Sequence, residues 1–263
     1  MLTPLEKHYN KHKEDLRLQR QHGQIEFRIS MHFILKHLPS NKPKNEIKIL
    51  DLGAGTGRYS IELKNMGYNV TAVELVQHNI DIMLKNDPSV KVFKGNAIDL
   101  NFLPENKFDA VISFGPMYHL MTKKEKLQAI HQTKRVMKDD AILFQAYLLN
   151  DYSLITYCFQ ENRMPDLYKR GIIDENFIIH PSTDELYDYV SLDSITELNQ
   201  ETNMKRVTIF SPDGPTDYMR PTINKMTPES FELFIKYQLS RAERPELLGA
   251  SSHIVDIVIK DKR

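Results

Sequence analysis

A single cysteine, Cys158, in 263 residues excludes an internal disulfide and a cysteine-based zinc site. A lone thiol of this kind is expected to be buried or half-buried and chemically quiet. No apolar run reaches the ~18 residues that a membrane-spanning helix needs. The N-terminus is polar and charged and lacks the apolar core of a signal peptide, so the expected location is cytoplasmic. Charge of one sign is not in excess either. Lys plus Arg and Asp plus Glu number 35 each. Without a bulk basic field, a nucleic-acid substrate is disfavoured. Internal repeats and low-complexity tracts are missing, which excludes a solenoid.

What remains is an ordinary globular composition, 41% hydrophobic and 27% charged, in a chain long enough for one large domain or a domain with a cap. The organising stretch is IKILDLGAGTG, residues 47–57. Ile47, Ile49, Leu50 and Leu52 form a short apolar run suited to a strand buried on both faces of a parallel sheet. Asp51 follows, then Gly53, Ala54, Gly55 and Gly57, with a helical stretch behind them from Arg58 to Met66. Glycines at such a turn let a ligand approach the backbone closely. A helix that begins there leaves N–H groups free for it. The spacing is G-x-G-x-G rather than the dinucleotide G-x-G-x-x-G, and Arg58 stands at the sixth position, which argues against a pyrophosphate on the turn.

A strand, a turn and a helix recur down the chain. Strands are expected at Asn69–Leu75, Val90–Phe93, Phe108–Ser113 and Ala141–Leu148, with helices at Gln77–Lys85 and Lys123–Met137 between them. This alternation predicts a doubly wound, mostly parallel α/β sheet. Glu74 ends the second strand 23 residues after Asp51, where an acid can meet ribose hydroxyls. The third strand leads into Gly95-Asn96-Ala97-Ile98-Asp99-Leu100, and the fourth opens into Phe114-Gly115-Pro116-Met117-Tyr118-His119-Leu120.

The D-x-G-x-G-x-G turn, the acid at the second strand and the G-N-A-x-D-L segment together resemble class I S-adenosylmethionine-dependent methyltransferases. The G-P-x-Y-H-L stretch is similar to one in bacterial small-molecule methyltransferases. The resemblance is strong over about residues 45–148. It implies a Rossmann-like seven-stranded sheet whose last two strands pair antiparallel at one edge. It also implies a cofactor, S-adenosylmethionine, with S-adenosylhomocysteine as product. In that family the turn wraps the amino-acid end and ribose, which assigns Asp51, Gly53, Ala54, Gly55 and Gly57. Glu74 and Leu75 fall to the ribose, and Asn96, Ala97, Ile98 and Asp99 to adenine. Ser113 and Phe114, at the mouth of the fourth strand, face the transferring methyl. Arg28 is the candidate partner for the cofactor carboxylate, because arginine binds carboxylates bidentately.

For catalysis, Tyr118 and Phe114 lie where aromatic faces can stabilise a sulfonium. His119 is the best placed base, or else it only orients its loop. No metal is called for. Tyr147, Tyr152, Tyr187 and Tyr189 are candidate walls for the acceptor.

Around this core, residues 1–46 are expected to form a helical lid, with a first helix broken at Gly23 and a second over Gln24–Leu38. In the lid, Tyr9, Arg17 and Glu26 are the polar residues of interest besides Arg28. Residues 47–149 form the cofactor-binding core, 150–204 an inserted helical cap, and 205–263 the rest of the sheet, with strands at Arg206–Phe210 and His253–Lys260. The expected acceptor is a small molecule held between core and cap. The N-P-P-Y and D-P-P-Y loops of amino-group methylators are missing, which lowers those substrates. Two alternatives stay open: an enzyme methylating RNA or protein, and a non-catalytic module that binds the cofactor.

Overall fold

The computed structural model describes residues 5–6, 20–182, 185–249 and 251–261. Tyr9 and Arg17 of the expected lid lie outside the described residues. Seven strands form one sheet: β1 Lys48–Leu52, β2 Asn69–Glu74, β3 Lys91–Lys94, β4 Phe108–Ser113, β5 Met137–Leu148, β6 Met204–Phe210 and β7 His253–Lys260. Their order is β3-β2-β1-β4-β5-β7-β6, with β7 antiparallel to both of its neighbours and the other pairings parallel. The expected fold class is therefore the observed one.

Six longer helices cover the sheet: α1 Gln21–His37, α2 Arg58–Asn65, α3 Gln77–Asn86, α4 Lys123–Val136, α5 Leu192–Glu201 and α6 Pro228–Arg241. The period of two along each strand sorts its side chains between two cores. Leu50, Leu52, Val111 and Leu143 pack with Ala129 and Ile130 of α4 and Ile195 and Leu198 of α5. Ile49, Ala110, Ile112 and Phe144 face the other way, onto Ile25, Ile29, Phe33 and Ile34 of α1 and Phe231 and Ile235 of α6. Phe33 stacks on Phe210 with ring centroids 3.9 Å apart. Central strands buried on both faces explain the near-continuous apolar runs of β1 and β4.

Two helices differ from the expectation. Gly23 does not break a helix; it lies buried inside α1, which begins at Gln21. With four large apolar residues on the sheet, α1 is a layer of the fold rather than only a cover. Likewise, α5 is a crossover helix on the sheet, so only about residues 150–190 depart from the alternation. That segment builds a small core of its own from Leu154, Cys158, Met164, Leu167 and Ile173. It returns to the sheet through a parallel bridge between Leu149 and Val190.

Local sequence sets the helix starts. Thr122 and Glu125 form a capping box at α4. Thr227 caps α6, with Pro228 at its first position. At the opposite edge from the site, buried Asp109 accepts the Lys48 amide at 2.8 Å and pairs with Lys138 and Lys42. Burial opposes its ionisation, but these three donors hold its carboxyl below the usual range. The group ties β1, β4 and β5 together, and the strand tips at the other end remain available for function.

Candidate functional site

The tips of β1, β2 and β4 surround a cavity of about 310 Å³. After β1 the chain turns through Gly53 and Gly55, both with positive φ (74° and 55°). The amides of Gly53 and Ala54 donate to the Val73 carbonyl at 2.8 and 3.1 Å, which pins the turn to β2. A Cβ on Gly53 would lie 2.6 Å from Cδ of Pro116, so the loop after β4 rests directly on the turn. The two loops most distant in the motif pattern thus form one wall.

Asp51 is buried and accepts from the Ser60 hydroxyl at 2.6 Å. Burial pushes its pKa up to about 6; the Ser60 bond opposes this and the nearby Glu74 charge adds to it. Glu74 is 6% exposed and takes three donors: Gly55 N at 2.8 Å, Val76 N at 2.9 Å and Asn79 Nδ2 at 3.3 Å. Burial raises its pKa against those bonds. Both acids line the cavity, as do Gly53, Ala54, Gly55, Leu75, Asn96, Ala97, Ile98 and Phe114. Tyr118 and His119 line it too.

Four of the expected residues stand elsewhere. Arg28 points away to α6, where its guanidinium grips Glu232 at 2.6 and 2.7 Å on the surface. A bidentate carboxylate partner already exists on the neighbouring helix, and this corrects the assignment of Arg28 to the cofactor. The cation on the cavity wall is Arg58, stacked 4.0 Å above the Phe27 ring. Asp99 is exposed, does not line the cavity and accepts the Asn101 amide at 3.2 Å. It is a turn cap, and Asn96 takes its place on the wall while accepting the Ile98 amide at 3.2 Å. Ser113 is 1% exposed inside the sheet beside Gln145. Gly57 does not line the cavity; with φ 87° it caps α2, and a Cβ there would meet the Met83 side chain.

Near the β4 loop the wall is aromatic. Phe27 and Tyr59 lie 5.0 Å apart, Tyr59 and Phe114 5.1 Å apart and edge to face. The Tyr118 hydroxyl donates to the Phe114 carbonyl at 2.7 Å. His119 Nδ1 lies 2.9 Å from the Leu186 carbonyl, and its ring packs 5.2 Å from Tyr187. The Asp188 amide donates to the Tyr118 carbonyl at 2.9 Å, and buried Lys126 bridges the Leu120 carbonyl and Asp188. The inserted segment is thereby fastened to the Tyr118–His119 loop. Of the four tyrosines proposed as acceptor walls, Tyr147 is fully buried in the sheet core, and Tyr152 packs against Tyr157 and Tyr218.

Sequence reasoning missed Glu26, Phe27, Arg58 and Tyr59. The last two follow the glycine turn directly, and that adjacency was the available signal. Glu26 and Phe27 carried none, because only the packing of α1 brings them to the strand tips.

A doubly wound sheet with a glycine turn at one strand tip and a buried acid at the next defines a Rossmann-like domain of the nucleoside-cofactor class. Residues 49–140 match the family model described as a methyltransferase domain. The ubiquinone biosynthesis O-methyltransferase of Rickettsia bellii is 24% identical over 185 residues, 67% of this chain and 70% of that one. An S-adenosylmethionine-dependent methyltransferase from Archaeoglobus fulgidus shares the fold at TM-score 0.59 and 16% identity, over 95% of this chain and all of that one. The geranyl diphosphate C-methyltransferase of Streptomyces coelicolor, solved with S-adenosylhomocysteine, superposes at TM-score 0.55 and 13% identity, over 88% and 79%. The chain is a class I S-adenosylmethionine-dependent methyltransferase, and S-adenosylmethionine is its cofactor. No helix among the described residues is long and apolar enough to cross a membrane.

Proposed function

We propose that the cavity at the strand tips holds the cofactor and that the chain methylates a small molecule at the Tyr118–His119 end. The observation that carries this reading is the order of chemistry along the wall. Asn96, Ala97 and Ile98 offer a polar edge and an apolar face for a base. Glu74 offers carboxylate oxygens for ribose hydroxyls. The amides of the glycine turn and the Arg58 guanidinium suit the amino-acid end. The residues present therefore fit the cofactor. When bound, it supplies an electrophilic methyl group on a sulfonium.

The protein's own work is to orient, desolvate and steer charge. Phe114, Tyr59 and Tyr118 present aromatic surface where a sulfonium is expected, each face worth about 0.5–2 kcal/mol to a cation. Tyr118 is held through Phe114, and His119 through Leu186, so both side chains keep fixed positions beside the acceptor. We place the acceptor under the inserted segment 150–190, which fastens to that loop. The names of the relatives support a small acceptor, since ubiquinone precursors and geranyl diphosphate are small molecules.

Calorimetry with S-adenosylhomocysteine tests the first half, and micromolar binding is expected. Radiolabelled S-adenosylmethionine incubated with a cell extract split by ultrafiltration tests the second. Label should appear in the low-mass fraction. Label confined to the macromolecular fraction would transfer the reading to an RNA or protein substrate, and no label with intact binding would leave a cofactor-binding module.

A further inference from the structure

Beyond the cavity, the tips of β5 and β7 hold a second group of polar residues. His253 opens β7 and pairs across the ladder with Leu148, the last residue of β5. Its Nδ1 lies 2.8 Å from Asp213 Oδ2, and its own amide is 3.3 Å from the same carboxylate. Asp213 is 3% exposed and accepts from the Ser251 hydroxyl, which in turn accepts from Ser211 at 2.6 Å. A carboxylate at Nδ1 fixes the tautomer. The neutral ring keeps its proton on Nδ1 and accepts at Nε2. Among the described residues none hydrogen-bonds that Nε2, and the side chain retains 17% exposure. The ring faces Tyr118, with centroids 6.1 Å apart. Tyr118 is a wall of the cavity, and so is Glu26.

We propose that His253, oriented by Asp213, is the acid–base residue on the acceptor's side of methyl transfer and that it serves a phenol-like hydroxyl. The proposal rests on the reading that the cofactor occupies the cavity with its methyl toward Tyr118. His253 Nε2 takes the hydroxyl proton as the oxygen bonds to the methyl carbon and the carbon–sulfur electron pair stays on sulfur. The positive charge passes from sulfur to imidazole, so charge balances. His119 is unsuited to this task, because its Nδ1 and ring face bind the inserted segment at Leu186 and Tyr187.

The charges around His253 set its strength. Burial alone lowers its pKa, but Glu26 from α1, Asp213 and more weakly Asp217 lift it to about 9. Asp217 is itself paired with Arg220 at 2.7 Å, and Tyr118 closes the remaining side. A base of that strength matches a hydroxyl whose own pKa is near ~10, a phenol rather than an alcohol. It is also charged at neutral pH until another cation arrives. A sulfonium beside Tyr118 disfavours the imidazolium, so loading the cofactor drives His253 toward its base form.

The neutral product lacks the sulfonium charge, which gives a test without any acceptor. Histidine-labelled protein is titrated by NMR, first saturated with S-adenosylhomocysteine, then with S-adenosylmethionine. The His253 resonance is assigned as the one lost in His253→Gln; if that variant does not fold, the signal displaced by Asp213→Asn assigns it. Proton binding at His253 should be about tenfold weaker in the S-adenosylmethionine complex. The same titration in both complexes, with both shown bound by calorimetry, overturns the proposal. Failure of either molecule to bind overturns instead the cofactor reading beneath it.

Discussion

The Glu74 carboxylate at the end of β2 holds the Gly55 amide of the turn after β1, Oε2 to N, at 2.8 Å. The other oxygen accepts from Val76 and Asn79. One side chain therefore sets the glycine turn and presents its remaining lone pairs to the cavity. Glu74→Gln keeps the size but turns a donor toward one of these N–H groups. Affinity for S-adenosylhomocysteine should fall by about 1–3 kcal/mol, roughly tenfold or more, in calorimetry. An unchanged dissociation constant would show that Glu74 neither shapes the turn nor meets the ribose.

Two arginines separate cavity from surface. Arg28 and Glu232 form an exposed pair between α1 and α6, of a kind worth about 0–1 kcal/mol. Arg58 lies on the cavity wall above Phe27. Arg28→Ala should leave cofactor affinity within about twofold of the parent, whereas Arg58→Ala should weaken it by about 1.5–3 kcal/mol, the range for a hydrogen bond to a charged group. Binding isotherms for the two variants decide the matter, and the reverse order would return the carboxylate to Arg28.

Gly53 is where two loops meet. Its φ is 74°, and an added Cβ would lie 2.6 and 2.8 Å from the Pro116 ring. Pro116 cannot rotate away as a flexible chain end would. Gly53→Ala should cost about 2–3 kcal/mol of stability, from left-handed backbone strain plus the displaced loop. Urea unfolding measures this directly, and cofactor binding should fall in the same variant. A change in unfolding free energy below about 0.5 kcal/mol would mean that the loop after β4 does not bear on the turn.

The order of elements was legible because hydrophobic period and turn chemistry agreed along residues 47–148. Thr122 with Glu125, and Thr227 with Pro228, even marked helix starts to the residue. What stayed hidden depended on contacts between distant segments. Asp99 fits the spacing of an adenine-binding acid, but its carboxylate is spent locally on Asn101. Arg28 fits the chemistry of a carboxylate partner, yet α1 docks with that face toward α6. The start of β5 was masked by Lys138, Asp139 and Asp140, which occupy an irregular stretch between the Phe108–Met137 and Ala110–Ile142 pairings. Helix α5 was taken for part of a cap because its apolar stripe does not say which surface it will cover. The pairing of His253 with Asp213 spans 40 residues and leaves no local pattern at all.

Titration of buried groups makes stability fall as pH rises in two separate windows. Asp51 binds its proton more tightly folded than unfolded, with its pKa raised from 3.8 to about 6 by burial. Its contribution is complete below 3.8 and is lost as pH climbs through 6, and Glu74, also raised, adds to the same limb. His253 is raised from 6.5 to about 9, so its contribution is complete below 6.5 and disappears as pH passes 9. Each window is worth at most about 3 kcal/mol. Asp109, held below the usual carboxylate range, contributes in the opposite sense and only in stronger acid. Urea unfolding of the cofactor-free protein at a series of pH values should therefore show stability declining from pH 4 to 6 and again from 6.5 to 9. Asp51→Asn, which can still accept from Ser60, should flatten the first decline and spare the second. His253→Gln should do the reverse. If both variants kept the parent's slope in both windows, the charges of these buried groups would be neutralised by partners other than the ones this fold places beside them.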